Sequence, residues 1–521
     1  VNLGSRPPAP RPIVAWPGLR PIVWAPSART VELGALSPDG PTRSPMRLSG
    51  AHDPGYWGAD REMEPGTVYG FSIDGGEPVT DPLATCLPQG IDGLSCAPGD
   101  VQPPGGWSDA GWQPPPLAAG VLLHLDIENL TPEGTFEAAA ALLPRIARSG
   151  VQGVELAPVA TYDDDASPAD GVRIFSVHAR LGGSTGLATF VDAAHAAGLA
   201  VVLTPAFRWA VAPRLGLEAF GPYAAGERIN LEGSGSRGAR DFLIANAEWW
   251  FERFHVDGLA LDIEALAHHS SVPFLSALAD ATVAFSEVFG RRLMLFVDGP
   301  GRSDRLTNAL RRLLSPGGPP PAAFTELQRL SRDLTPSTRL PLRADRLVCR
   351  APRTTSRAAS LVIGDLTRLA GARRAMPWVP ADEVADPADL DTRASTLTVA
   401  WLAGTPLVLD TDHVPVTEDS PEARRLLEWN ATLAGLRAEI TARVALGVEV
   451  RAGESALALR RGDFAVVLAW GPHDPGVDLS ALLHGDPAGW ELVAAWSPDA
   501  AIEDGTLRIP VCTTAVLRAR P

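Results

Sequence analysis

Lysine is absent: each of the 45 basic residues in this 521-residue chain is an arginine. With abundant Ala, Gly and Pro, that absence points to codon bias in a GC-rich genome. It also removes any phosphate-cradling loop with its lysine, and no glycine fingerprint for a dinucleotide follows any apolar run, so the nucleotide-binding alternatives are weak. Positive charge is in deficit overall. The formal net charge of −16 argues against nucleic acid or an anionic membrane as a partner. No apolar run is long enough to span a bilayer, and residues 1–12 hold no apolar signal core, so the expectation is a cytoplasmic protein without membrane contact. Cysteine is scarce too. Cys86, Cys96, Cys349 and Cys512 show no metal-ligand spacing, so neither a metal nor a cofactor is expected, and reduced thiols are expected rather than a Cys86–Cys96 bridge.

What is present is an ordinary globular composition, with 45% hydrophobic and 20% charged residues and a mean hydropathy of +0.04. The length calls for two or three hydrophobic cores. Residues 1–116 read as short strands between turns, at 22–25, 30–33 and 68–73, which predicts a small N-terminal β-sandwich. The Pro/Gly-rich passage 103–116 reads as a linker, with Trp107 and Trp112 packed on a neighbouring domain rather than binding sugar. From 117 to 440 the rhythm becomes apolar strand, polar loop, amphipathic helix. Strands are predicted at 121–127, 153–156, 200–203, 259–261, 293–297, 347–349 and 407–409, with helices at 135–149, 187–197 and 240–254 among those between them. That alternation gives an α/β fold, a parallel barrel or an open doubly wound sheet, and the strand count favours the (β/α)8 TIM barrel. Residues 441–521 return to short strands and predict a C-terminal β-sandwich.

The chain is organised around residues 254–264. A helical pattern ends at Phe254, Asp257-Gly258 makes a turn, and a short apolar run stops at Asp262. A carboxylate ending a barrel strand projects into the mouth where such folds do chemistry; the same Asp would equally serve as a helix N-cap.

Several local stretches resemble the α-amylase superfamily, and within it the malto-oligosyltrehalose trehalohydrolases. They are Trp24-Ala25-Pro26-Ser27-Ala28, Asp74-Gly75-Gly76-Glu77-Pro78-Val79-Thr80-Asp81-Pro82, Leu130-Thr131-Pro132-Glu133-Gly134-Thr135-Phe136, Gly153-Val154-Glu155-Leu156-Ala157-Pro158-Val159, Asp170-Gly171, Phe220-Gly221-Pro222-Tyr223 and His255-Val256-Asp257-Gly258-Leu259. The order is that of the family. Toward the end, Leu457-Ala458-Leu459-Arg460-Arg461-Gly462-Asp463-Phe464 is similar to its C-terminal sheet. The resemblance implies a retaining mechanism, in which one carboxylate acts as nucleophile and a second as general acid. Asp262 falls at the nucleophile position and Asp298 at the acid position, where the family has Glu; one methylene less matters because about 1 Å of misplacement can cost roughly a hundredfold.

Other departures gather at the same mouth. The arginine that the family places two residues before the nucleophile is Ala260 here. The third-strand motif with its Asn-His pair aligns with Thr204-Pro205-Ala206-Phe207-Arg208-Trp209, and the third acid falls near Arg353-Thr354-Thr355, where no acid occurs. The implied reading is a catalytically impaired relative that binds an α-glucan or maltooligosaccharide, or a partner enzyme of trehalose and glycogen metabolism. Two alternatives stand beside it: an active hydrolase or transglycosylase using Asp262 and Asp298, and an assembly subunit with a closed cleft. Asp170, Arg208, Trp209 and Tyr223 are the candidate substrate contacts. An arginine, Arg208 first and Arg350 or Arg353 after it, is expected to pair with Asp262 or Asp298, because a carboxylate in a partly dry cleft needs a counter-charge. The acid run Asp163-Asp164-Asp165 is read as a solvated loop rather than a calcium site.

Overall fold

A parallel sheet lies at the centre of the fold, and its strand order follows from the βα rhythm. The computed structural model describes residues 17–37, 40–48, 55–117, 120–262, 274–298, 347–350, 407–409, 414–417, 419–441, 449–452, 456–469, 476–483, 489–510 and 513–520, with single positions 266, 394, 398 and 411 between them. Strands Val121–Leu125, Gly153–Leu156, Ala200–Leu203, Gly258–Leu261, Met294–Asp298 and Leu347–Arg350 lie side by side in chain order, and Leu407–Leu409 pairs back onto the first. All these pairings are parallel. A sheet whose last strand returns to its first is curling shut, as a TIM barrel requires.

Three of these strands, Gly153–Leu156, Ala200–Leu203 and Gly258–Leu261, are buried along their whole length. Their near-continuous apolar character reflects cover on both faces. Alternate residues point inward: Leu122, Ala200, Val202, Ala260, Met294 and Phe296 form one apolar cluster with Leu117. The others pack outward against the helices. In Gly183–Ala196, Leu187, Phe190, Val191 and Ala194 are buried, the spacing of a single helical face.

Both flanks are β-structure. At the N-terminal side a sheet of Ile22–Trp24, Tyr56–Gly58 and Arg47–Leu48 accompanies one of Gly40–Pro45, Val31–Ser37, Val68–Ile73 and Ser95–Cys96. At the C-terminal side five antiparallel strands, from Glu449–Ala452 to Thr514–Ala519, accompany three shorter ones. The fold is a (β/α)8 barrel between β-sandwich domains. Among the described residues no helix is long and apolar enough to cross a membrane.

Two expectations need correction. Residues 135–149 are not one helix but two, Phe136–Ala140 and Leu143–Arg148. Pro144 has no N–H to give to Ala140, and its ring crowds that carbonyl, so the helix must restart. Cys86 and Cys96 are joined in a disulfide rather than reduced. The strand Ser95–Cys96 pairs with Val68–Ile73, and the Cys96 amide donates to the Cys86 carbonyl at 2.9 Å. That closes the loop and sets the two Cα atoms 5.1 Å apart, within the range a disulfide spans.

Candidate functional site

Asp262 follows directly on the strand Gly258–Leu261, at the mouth end. Its neighbour is the next strand, Ala200–Leu203, whose chain continues through Thr204 and Pro205 into a single 3-10 turn, Phe207–Trp209. Phe207 is buried, so the turn is pinned by its first residue and its second, Arg208, projects across the mouth. The Arg208 guanidinium meets Asp262 with both Nε, at 2.8 Å, and an Nη, at 2.7 Å, on the same carboxylate oxygen. Side chains of Arg208 and Asp262 are 45% and 37% exposed, so the pair sits at the solvent boundary of the mouth.

One layer deeper the barrel is apolar. Ala260 precedes Asp262 by two residues on the same face and is buried with Val202, Met294 and Phe296. The cation beside Asp262 therefore does not rise from its own strand. It reaches over from the loop after the neighbouring strand.

The other candidates are scattered. Trp209 is half-buried and its ring packs against the core, while its carbonyl accepts from the Val172 amide at 3.3 Å. Asp170 is exposed and its carboxylate accepts from the Ser167 amide at 3.0 Å, closing a capping box around a short turn. Tyr223 packs toward the N-terminal sheet: it is 3% exposed and stands edge-on to Trp24 of that sheet at 5.0 Å and to Phe242 at 5.3 Å. Burial pushes its hydroxyl far above the ordinary range. Asp298 ends its strand in register with Arg350; its side chain, and Arg353 to Thr355, lie outside the described residues. Asp163 pairs with Arg214 at 2.5 Å and Asp164 with Arg180 at 3.5 Å, so two of the three acids in this run are held in ion pairs.

A second cluster, at the opposite foot of the barrel, was not singled out by sequence reasoning. Asp257, just before the strand Gly258–Leu261, is fully buried. It accepts from Trp112 Nε1 at 2.9 Å and the Val201 amide at 2.8 Å, and contacts His195 Nε2 at 3.1 Å. His195 Nδ1 lies 2.9 Å from Asp109, which also meets His255 Nδ1 at 2.8 Å. Asp109 and Trp112 belong to the linker. These five side chains come from three separate stretches, 109–112, 195 and 255–257, which share no spacing signal; only the turn at Asp257-Gly258 marked the place.

No family model matches the sequence. Similarity to individual proteins is extensive. The chain is 35% identical over 300 residues to a malto-oligosyltrehalose trehalohydrolase of Rhizobium sp. (strain M-11), covering 54% of this chain and 49% of that protein; it spans about half the length of the curated relatives it matches. Among solved structures, a putative α-amylase from Salmonella typhimurium superposes with a TM-score of 0.64 at 19% identity, covering 96% of this chain and 97% of that one. The Group B Streptococcus pullulanase SAP in complex with maltotetraose gives 0.65 at 14% identity, covering 97% and 87%. These low identities speak for the fold alone. The sequence is thus similar to malto-oligosyltrehalose trehalohydrolases over 54% of its length, and its fold is that of the amylase and pullulanase structures.

Proposed function

We propose that this protein is a catalytically impaired relative of the malto-oligosyltrehalose trehalohydrolases, working in α-glucan and trehalose metabolism by binding a maltooligosaccharide or a partner enzyme rather than by hydrolysis. The observation that carries this reading is the clamp of Arg208 on Asp262. A glycosidic nucleophile needs a free oxygen aimed at the sugar. A cation rising from two residues earlier would lie below the carboxylate and leave the mouth clear. Arg208 instead comes in from the loop after the neighbouring strand and holds one carboxylate oxygen of Asp262 from the mouth side. The position two residues earlier on the same strand is apolar, with Ala260 against Phe296, so no cation rises there from the strand that carries Asp262.

A glucan-binding role draws its support from the pullulanase neighbour, which was solved with maltotetraose. Incubation with maltooligosyltrehalose and with maltooligosaccharides is expected to release no glucose or trehalose above a buffer control, while calorimetric titration with maltotetraose gives a saturable signal. Turnover that disappears in Asp262→Asn would overturn the reading. Absence of both turnover and glucan binding would leave the partner-enzyme form, tested by co-purification with a trehalose-forming enzyme.

A further inference from the structure

The linker 103–116 is not a loose connector. It crosses the foot of the barrel as a strap, fastened at several points. Ser108 donates from its amide and hydroxyl to Asp192 at 2.7 and 2.8 Å, and Gln113 donates to the Gly290 carbonyl at 2.8 Å. Trp107 stacks on His255 at 3.8 Å and Trp112 on His195 at 4.5 Å. Trp112 also packs against the apolar cluster inside the barrel.

The centre of this attachment is His195, whose side chain is 1% exposed and lies between the carboxylates of Asp109, 5% exposed, and Asp257, fully buried. Both ring nitrogens face a carboxylate oxygen, at 2.9 and 3.1 Å. A neutral imidazole has one N–H and one lone pair, and a carboxylate only accepts. Both contacts are hydrogen bonds only if His195 carries two protons. A neutral ring would press a lone pair against a carboxylate in a dry site, leaving a buried polar group unsatisfied.

We propose that the strap is a proton-dependent latch: imidazolium His195 bridges Asp109 of the strap to Asp257 at the foot of the barrel, and loss of its proton loosens the strap from the barrel. The other charged groups around it are His255 and Arg291, and Asp192 on the His195 helix. Asp192 is engaged by Ser108, and Arg291 is tied to the His255 and Phe251 carbonyls at 2.6 and 2.7 Å.

The electrostatics agree with the geometry. Burial acts to lower the His195 pKa, but its hydrogen bonds to Asp109 and Asp257 outweigh this and raise it. Burial of His255 wins instead and lowers its pKa, so His255 titrates on the acid side and does not set the alkaline limb. For Asp109, burial opposes ionisation, yet hydrogen bonds from His195 and His255 bring it down to about 2. A histidine raised in the folded state contributes attachment that is complete below its unfolded pKa, about 6.5, and lost as pH rises through the folded value. Asp109 sets the opposite limit, lost only as pH falls toward about 2. The latch is independent of whether the mouth turns over glucan.

The test is hydrogen exchange of amides 107–113 in the full chain from pH 5.5 to 9.5, corrected for base catalysis of intrinsic exchange. Protection is expected to hold to near pH 6.5 and then fall by up to about tenfold per pH unit. In His195→Gln and in Asp109→Asn it should be lower and flat. In the wild type, two-bond proton–nitrogen spectra should show one histidine with both nitrogens protonated at pH 7.5, shifted in Asp109→Asn. Flat wild-type protection overturns the proposal. So does a fall that persists unchanged in both variants, or a singly protonated His195 at pH 7.5; the spectrum decides even if one variant fails to fold.

Discussion

At the scale of single residues, the mouth poses a question of which way a charge is held. The Arg208–Asp262 pair is close and doubly bonded on one oxygen, but both side chains are more than a third exposed. Solvent screening and the entropy of fixing the arginine leave such pairs worth about 0–1 kcal/mol. Arg208→Ala is therefore expected to change the unfolding free energy by less than about 1 kcal/mol, measured by denaturant titration, while opening the strand end and tightening maltotetraose binding. The deeper position behaves differently. Ala260 is 1% exposed among Val202, Met294 and Phe296, so Ala260→Arg, which would put a cation beneath Asp262, overpacks the barrel interior and buries a charge. A loss of roughly 3 kcal/mol or more is expected. An Ala260→Arg protein as stable as the wild type would show that the apolar layer can open around a guanidinium, and would weaken the argument from Ala260.

At the scale of elements, what could be read from the chain was whatever repeats. The strands Gly153–Leu156 and Ala200–Leu203 and the amphipathic helices were legible because burial on both faces leaves a short apolar run, and burial of one stripe leaves a period, in the sequence. Helix starts were less so. The helices predicted from 187 and 240 begin at Gly183 and Ser236, after Gly182 and Gly235 in the left-handed region at φ 111° and 73°. Their first turns hold Gly, Ser and Thr or Arg in place of an apolar face, so periodicity is silent there. Of the mouth, Asp262 and Arg208 were legible because each follows a strand end, and position alone aims them at one point. Tyr223 was not: a motif gives its order in the chain but not which face of the barrel its loop covers. One element-scale contact is sharply defined. A Cβ at Gly238, in the helix Ser236–Arg253, would stand 2.1 Å from the Trp24 ring. Gly238→Ala gains helix propensity of about 1 kcal/mol, but Trp24 is buried and cannot move aside freely. The net expected is a loss of about 1–3 kcal/mol, with the Trp24–Tyr223 contact broken, read by denaturant unfolding.

At the scale of the whole molecule, the N-terminal sheets are joined to the barrel through polar as well as apolar contacts. Tyr56 donates to Asp241 of the barrel helix at 2.9 Å. Beneath the sheets, Asp81 is buried and accepts from Tyr69 at 2.5 Å and the Leu83 amide at 2.8 Å. Burial, only partly offset by those bonds, raises its pKa to about 6. A carboxyl raised in the folded state adds stability that is full below its unfolded pKa, near 4, and is lost as pH climbs to about 6. About 3 kcal/mol should disappear over that window, seen by urea unfolding at pH 4 and pH 6.5 and flattened in Asp81→Asn.

The loop between Cys86 and Cys96 makes the remaining junction. Ile91 is buried and its carbonyl accepts from Arg173, a guanidinium 4% exposed that also bonds the Leu215 carbonyl at 3.1 Å. Asp92 holds Arg214 through both oxygens, at 3.0 and 2.5 Å. Arg173 and Arg214 both belong to the barrel, so a loop fixed at its ends by the disulfide presents two successive residues to two barrel arginines. Reduction would leave these contacts available but return the loop's freedom to the unfolded chain. For a closed loop of this size that freedom is worth about 3 kcal/mol. Cys86→Ser with Cys96→Ser, or treatment with a thiol reductant, is expected to lower the unfolding free energy by up to that amount and to expose the loop to protease before the barrel is cut. Asp92→Ala, which leaves the disulfide intact, should cost far less, since Asp92 is itself half-exposed and its ion pair screened. Equal losses in the two experiments would mean that the arginine contacts, and not the covalent tie, hold the loop on the barrel.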